Sequence, residues 1–223
     1  MIFIKALILG IVQGITEFLP VSSSGHLAVF RQLLGFQTDN SLSLDIWLHA
    51  GTLMAVVLTF RKEIGKSLTA GGRMLRDTGV NTANFLKSAG THSGPYRKIL
   101  TGNYRYMNAM LLIACVPTAI LGILLRGVAA AASKTLLIPG MGMFITAVVL
   151  IVVDKVENKT AVPREVSPVK ALIIGTAQGI AVIPGISRLG MTLTTSLLCG
   201  MNRRSALRFS CFLSIPAIIG SLI

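Results

Sequence analysis

A carboxylate, three hydroxyls and an imidazole crowd into one short stretch: Glu17, Ser22, Ser23, Ser24 and His26, between Gln13 and Leu27. A carboxylate and an imidazole can move protons, and a hydroxyl can attack phosphorus or hold its oxygens. The stretch follows an apolar run from Ile2 to Val12, broken only by Lys5, and precedes another from Leu27 to Phe36. Ionisable groups at the ends of apolar segments are costly and are kept mainly where they line a cavity or do chemistry. Gln13 and Glu17 are four apart, so a helix places them on one face. Pro20 and Gly25 then interrupt regular structure. Small polar residues also cap helices, and taken alone a helix–turn–helix with a serine-rich cap explains the stretch as well.

What raises the chemical reading is recurrence. Lys5–Ile15 and Lys170–Ile180 align without a gap, most positions identical. Leu19–Ser23 and Ile183–Ser187 then correspond once one residue is dropped. Each is followed by a short apolar run, a polar turn (Gln37 to Ser41; Asn202 to Ser205) and a longer apolar segment. The chain is two copies of one unit. The second copy brings Ser187, Thr192, Thr194 and Arg188, the one fixed positive charge between Lys170 and Arg203. Flanked by Gly185, Ser187 and Gly190, Arg188 suits a phosphate: its fork matches phosphoryl oxygens, and helix N-termini add N–H donors.

The elements that must position these groups are membrane helices. The chain has 223 residues, 52% hydrophobic and 13% charged, about half the usual charged share. Leu44–Phe60, Met107–Leu125 and Ile138–Val153 approach the length of a spanning helix, roughly 17–25 residues. No cleavable signal peptide is expected at the start. The net charge of +13 does not point to nucleic acid, because the basic residues gather between apolar segments. From Arg61 to Arg105 nine Lys/Arg face only Glu63 and Asp77, the pattern of a cytoplasmic segment beside anionic lipid. Cys115, Cys199 and Cys211 lie in apolar stretches without ligand spacing and read as packing residues, as do the methionines.

With the basic segment inside, Leu44–Phe60 runs inward, Met107–Leu125 outward and Ile138–Val153 inward; Ala206–Ile223 then runs outward. Lys155, Lys159, Arg164 and Lys170 agree with an inside linker. Leu27–Phe36 and Leu189–Gly200 are too short to span and fit re-entrant segments. The expected fold is an all-α polytopic membrane protein of inverted-topology repeats, with two re-entrant helix hairpins meeting at mid-membrane. Ser22–His26 and Pro184–Thr192 should then face each other across one pocket, since irregular backbone at that depth must line a cavity or be buried. The expected organisation is a single membrane domain, 1–223. Its parts are a first repeat core (1–60), a basic cytoplasmic loop (61–106), two transmembrane helices (107–153), a cytoplasmic linker (154–170) and a second repeat core (171–223), the last expected to be short at its C-terminus.

Gln13-Gly14-Ile15-Thr16-Glu17 followed by Phe18–His26, with Pro184-Gly185-Ile186-Ser187-Arg188 downstream, resembles the undecaprenyl-diphosphatase family, the bacitracin-resistance proteins. The resemblance covers nearly the whole chain, including Leu48–Thr52 and Phe209–Gly220. It implies an enzyme of the bacterial inner membrane, its active site facing outside, that hydrolyses undecaprenyl diphosphate to the monophosphate carrier used for peptidoglycan. Bacitracin resistance would follow from that activity. Carried onto this sequence, the family's motifs place a divalent cation, Mg2+ or Ca2+, at Gln13 and Glu17. They place catalysis at Glu17, Ser23, His26 and Arg188, and phosphate binding at Ser22, Ser24, Ser187, Arg188 and Thr192. Ser23 is the expected nucleophile or the group that orients water, with His26 as base or leaving-group acid. The expected partners are a polyprenyl diphosphate lipid and membrane lipids, with a homodimer as a candidate assembly and no nucleic acid.

Leu189 departs from the family pattern, where a serine usually stands, and removes one hydroxyl from the phosphate cradle. Asp45 and His49 are candidates for partners behind the first ring of site residues, or for a purely structural pair. Trp47 reads as an interfacial anchor, and His92 has no assigned role. A polyprenyl-phosphate transporter is the alternative reading, since inverted repeats with broken helices are common in transporters.

Overall fold

The computed structural model describes residues 2–36, 41–87, 96–132, 135–155 and 166–221. His92, Lys159 and Arg164 lie outside the described residues. The elements within them are helices: α1 (Ile2–Thr16), α2 (Ser23–Leu33), α3 (Ser41–Thr59), α4 (Arg61–Lys87), α5 (Asn103–Ala132), α6 (Leu137–Asp154), α7 (Pro168–Ile180), α8 (Arg188–Leu198) and α9 (Arg203–Ser221). Among the described residues, α5 and α6 are each long and apolar enough to cross a bilayer. A third span arises if Leu44–Thr59 and α4 are taken together, but the two meet at 85°.

That bend changes the reading of the basic stretch. Most of what the sequence suggests as a loop is α4, a helix of 27 residues. Ile64, Leu68, Leu75 and Leu86 recur among the charges at helical spacing, which is enough to order an amphipathic helix. Asn108 and Ser67 tie α4 to α5: Asn108 Nδ2 donates to the Ser67 carbonyl at 2.8 Å, and Ser67 Oγ donates to Asn108 Oδ1 at 2.5 Å.

The two helix pairs α1–α2 and α7–α8 share local structure residue by residue. α2 and α8 each have 11 residues. Their N-caps, Ser22 (φ −74°, ψ 113°) and Ser187 (φ −74°, ψ 119°), accept the N–H of Gly25 and Gly190 on Oγ, the bond that satisfies an otherwise orphaned first-turn donor. At the other end, Leu34 N–H meets the Phe30 and Gln32 carbonyls as Cys199 N–H meets Thr195 and Leu197. Gly35 (φ 55°) and Gly200 (φ 92°) then take the left-handed conformation that closes a helix. Ser22 thus matches Ser187 at the offset that relates Lys5 to Lys170, and no residue is dropped between them. The cap serines, not the prolines, set the register.

The core lies between α5, α7, α8 and α9, where Met110, Ala114, Ile174, Leu197, Phe209 and Leu213 are buried. α7 meets α5 through Gly175 and Gly179: a Cβ at Gly175 would collide with the Ala114 backbone, and one at Gly179 would lie 2.6 Å from Leu121 Cβ. Small residues four apart permit this close approach. Thr118 joins the pair, its Oγ1 2.8 Å from the Gly175 carbonyl oxygen. By contrast α1 exposes Phe3, Leu7, Ile11 and Ile15 along its outer face, a surface suited to lipid.

Candidate active site

The two pairs touch at their tips. Gly185, at the turn between α7 and α8 (φ 92°), donates its N–H to Ser24 Oγ at 3.2 Å. Gly25 and Gly190, the third residue of each helix, keep the tips close: a Cβ at Gly25 would come 3.3 Å from Gly185 Cα, and one at Gly190 3.1 Å from the Pro20 carbonyl oxygen. α6 supports the second tip from behind. Buried Thr146 accepts the Ser187 N–H at 3.0 Å, and its Oγ1 lies 3.0 Å from the Gly185 carbonyl oxygen.

Beside this junction is a cavity of about 730 Å³. From the first tip it is lined by Glu17, Ser23 and Ser24, and from the second by Ser187, Arg188 and Leu189. Its remaining wall is largely apolar, with Ala119, Ile123, Val182 and Ala217 among the lining residues. One end can therefore take charged oxygens and the rest a hydrocarbon chain.

Within the polar end, Glu17 is the hub. Ser23 Oγ donates to Glu17 Oε2 at 2.6 Å, and Gln13 Nε2 donates to the same oxygen at 3.0 Å. The helix that brings Gln13 and Glu17 together ends at Thr16, and the Glu17 N–H still bonds the Gln13 carbonyl at 2.9 Å. Ser23 is the first residue of α2 and Arg188 the first of α8, so two helix N-termini converge on one cavity and favour an anion there. Arg188 Nη1 is buried without a hydrogen-bond partner. A buried guanidinium N–H left unsatisfied costs free energy until a ligand meets it.

The other sequence-derived residues sit around this hub. Ser22 caps α2 and shares a bond with Ser24 Oγ at 3.1 Å. His26 Nδ1 bonds the Ser22 carbonyl at 2.7 Å, which puts the ring proton on Nδ1 and leaves Nε2 as the acceptor. His26 and Thr192 are not among the cavity-lining residues; Thr192 is buried and gives its hydroxyl to the Arg188 carbonyl at 3.0 Å. Ser187 Oγ accepts the Gly190 N–H at 3.0 Å. His49 does line the cavity, with Nδ1 on the Asp45 carbonyl at 2.8 Å, while the Asp45 carboxylate pairs with Arg31.

Three further lining residues lie outside the sequence-derived set: Arg126 and Thr118, which carry no signal that a single sequence could use, and Gln178, which the repeat alignment pairs with Gln13. Arg126 sits late in α5, outside both copies of the repeat, and brings a second guanidinium. Gln178 is the repeat counterpart of Gln13. Both side chains are buried and both leave Oε1 without a partner.

The donor set also bears on a divalent cation. Among the described residues no three His, Cys, Asp or Glu gather as a metal cluster. Yet Gln13 Oε1 is a buried orphan beside the Glu17 carboxylate. A hard cation takes oxygen donors and is often held by one or two carboxylates plus substrate phosphate oxygens. The residues present fit such an ion.

Comparison with known proteins identifies the family. The family model described as bacitracin resistance protein BacA matches residues 6–223. A protein of Desulforapulum autotrophicum named undecaprenyl-diphosphatase is 38% identical over 220 residues, covering 97% of this chain and 74% of its own length. Proteins of the same name from Alkaliphilus metalliredigens (36% over 219 residues; 98% and 74% covered) and Methanosphaera stadtmanae (37% over 218 residues; 98% and 75% covered) are similarly close. With a match from Ala6 to Ile223 and the paired tips in place, this chain belongs to the BacA, or bacitracin resistance protein, family.

Proposed function

We infer that this chain is a membrane phosphatase that hydrolyses undecaprenyl diphosphate to undecaprenyl phosphate and phosphate. Its activity recycles the lipid carrier for peptidoglycan synthesis and confers bacitracin resistance. The observation that carries this reading is the junction of the two tips, which places the Ser23–Glu17 pair and the unpartnered Arg188 guanidinium around one cavity.

The prenyl chain follows the apolar wall and the diphosphate occupies the polar end. Arg188 and the two helix N-termini hold the terminal phosphoryl group and stabilise the charge that spreads over its oxygens. Ser23 Oγ attacks the terminal phosphorus, and its proton passes to Glu17, 2.6 Å away. The bond to the bridging oxygen breaks and undecaprenyl phosphate departs with the proton that Glu17 passes to that oxygen, which returns Glu17 to the carboxylate. Water then attacks the phosphoserine and gives its proton to Glu17, which returns one to Ser23 as phosphate leaves. Gln13, donating to Glu17, orients the carboxylate. His26 does not line the cavity and bonds the Ser22 carbonyl through Nδ1, so it acts on the tip that carries Ser23 and not on the phosphoryl group directly. Gln13 and Glu17 would hold a divalent cation such as Mg2+ or Ca2+. When bound, such an ion neutralises diphosphate charge and polarises the bridge.

The finer architecture follows the same logic. An 11-residue helix rises about 16 Å, half the hydrocarbon thickness, which supports α2 and α8 as the returning arms of re-entrant hairpins. Their matching caps and bonded tips support inverted repeats that meet at mid-membrane. The cavity draws on Arg126, which is about 30 Å along α5 from the basic end at Arg105. With the basic end inside, the cavity opens to the outside of the bacterial inner membrane.

The test is phosphate release from undecaprenyl or farnesyl diphosphate by purified protein. Turnover that vanishes in Arg188→Ala supports the reading. An intact wild-type protein that releases no phosphate, or a variant as active as wild type, would overturn it.

A further inference from the structure

Gln178 stands on the last turn of α7 and lines the catalytic cavity, but its amide takes no part in the proton transfers between Ser23 and Glu17. It is 2% exposed, and its Oε1 is buried without a partner. Its neighbours fix which way the amide faces. Nε2 lies 3.3 Å from the Leu213 carbonyl oxygen, which can only accept. It also lies 3.5 Å from Thr118 Oγ1, whose own proton is committed to the Ala114 and Gly175 carbonyls, at 2.9 and 2.8 Å. The nitrogen therefore belongs on that side and the oxygen on the other. A buried amide oxygen with no donor costs free energy until a ligand supplies one.

The repeat shows which kind of donor suits it. In the first copy Gln13 donates to Glu17, and Glu17 also accepts from Ser23. The same offset carries Gln13 to Gln178, Glu17 to Val182 and Ser23 to Arg188. Val182 lines the cavity where the first copy has its carboxylate, and Arg188 and Arg126 share that cavity. A cation is disfavoured beside two guanidinium groups with no carboxylate on the same turn. An ionised phosphoryl oxygen is disfavoured too, because it has no proton to give Oε1. What remains is a small neutral O–H donor with several polar partners, which is water. The last turns of α1 and α7 lead into tips that are bonded through Ser24 and Gly185, so the two glutamines flank one junction. We propose that Gln178 is the positioning residue for the water that attacks phosphorus, an inference that rests on the phosphatase reading. One O–H of that water donates to Gln178 Oε1, which leaves the other for Glu17 and turns a lone pair toward phosphorus. As the new P–O bond forms, the bond from phosphorus to Ser23 Oγ breaks. The released proton passes through Glu17 to Ser23, and the O–H held by Gln178 stays on the product phosphate.

The experiment sets water against methanol as the phosphoryl acceptor. The full chain in detergent turns over farnesyl diphosphate in buffer containing methanol, and phosphate and methyl phosphate are quantified by phosphorus NMR. Methanol has a single O–H, which Glu17 takes, so its attack makes no use of Gln178. Gln178→Met, similar in length but without the amide oxygen, raises the ratio of methyl phosphate to phosphate by about tenfold, the effect of one lost hydrogen bond on one of two competing steps. Gln178→Leu does the same and stands in should the first variant fail to fold. Gln178→Glu, assayed at about pH 5, where burial keeps the carboxyl protonated, retains both a donor for Leu213 and an acceptor for water. It holds the ratio that wild type shows at that pH. A purely structural role at the α7–α9 contact would slow both transfers alike. A wild type that turns over, with a ratio that does not rise in the Met and Leu variants, overturns this inference alone. A wild type that releases no phosphate overturns the phosphatase reading and this inference with it.

Discussion

The Ser24 hydroxyl accepts the backbone N–H of Gly185 at 3.2 Å, joining the turn after α1 to the turn after α7. This bond joins the first helix pair directly to the second, so it helps fix how far Ser23 stands from Arg188. Ser24→Ala leaves the Gly185 N–H without that partner. A neutral hydrogen bond contributes about 1 kcal/mol; kcat with farnesyl diphosphate should fall roughly fivefold while the melting temperature in detergent moves little. Ser24→Thr, which keeps the acceptor, should recover most of the loss.

Ser23 and Glu17 act as one unit if the 2.6 Å bond between them carries the nucleophile's proton. Ser23→Ala and Glu17→Gln should each reduce kcat by about a hundredfold or more. The double variant should be little worse than either single one, because groups that act together are not additive. A fully multiplicative loss would separate their roles. Acid-quenched wild type should yield phosphoserine at Ser23, and its absence would leave Ser23 to orient water.

Arg126 and Arg188 line the same cavity but differ in setting. Arg188 begins α8 with a buried, unpartnered Nη1, whereas Arg126 is exposed near the end of α5. Arg188→Lys keeps the charge but loses the fork, and should depress kcat. Arg126→Gln should raise KM several-fold with kcat nearly unchanged, and the difference from wild type should shrink as salt rises.

Gly175 and its repeat counterpart Gly10 test the packing. Gly175→Ala drives a Cβ into the Ala114 backbone, and overpacking of that kind costs about 1–3 kcal/mol or more. In Gly10→Ala the nearest contact is Leu48 Cδ2 at 3.8 Å, an ordinary approach, and alanine favours the helix by about 1 kcal/mol. Thermal unfolding in detergent should therefore fall clearly for the first and hold or rise for the second.

Asp77 sets an acid limit on the α4–α5 contact. Burial by itself would raise its pKa. Hydrogen bonds from Arg97 and Arg105, with the charges of Arg105 and Arg76, outweigh that and hold it below the ordinary carboxylate range. A depressed folded-state pKa gives stability that is present above the unfolded value and lost as pH falls through the folded one. Hydrogen exchange in α4 should therefore accelerate only at pH below the usual carboxylate range. Asp77→Asn should remove that pH dependence and exchange faster at neutral pH.

How much was legible in the sequence depends on whether the signal was local. The membrane class, the two-copy organisation, and the grouping of Gln13, Glu17 and Ser23 all follow from apolar runs, alignment and helical spacing, which chain connectivity imposes. The serine caps are local too, since an Oγ reaches only the N–H groups of its own first turn, although their register showed only when Ser22 and Ser187 were seen as equivalent. Three-dimensional packing decided what connectivity leaves open. It turned the basic stretch into a helix set at 85° to α3 and brought His49 and Arg126 to the cavity wall. It also directed the Ser23 proton toward Glu17 and gave the Thr192 hydroxyl to its own helix. Those outcomes depend on which faces meet across long sequence separations, through contacts such as Ser24–Gly185 and Gly175–Ala114, and no spacing within one segment encodes them.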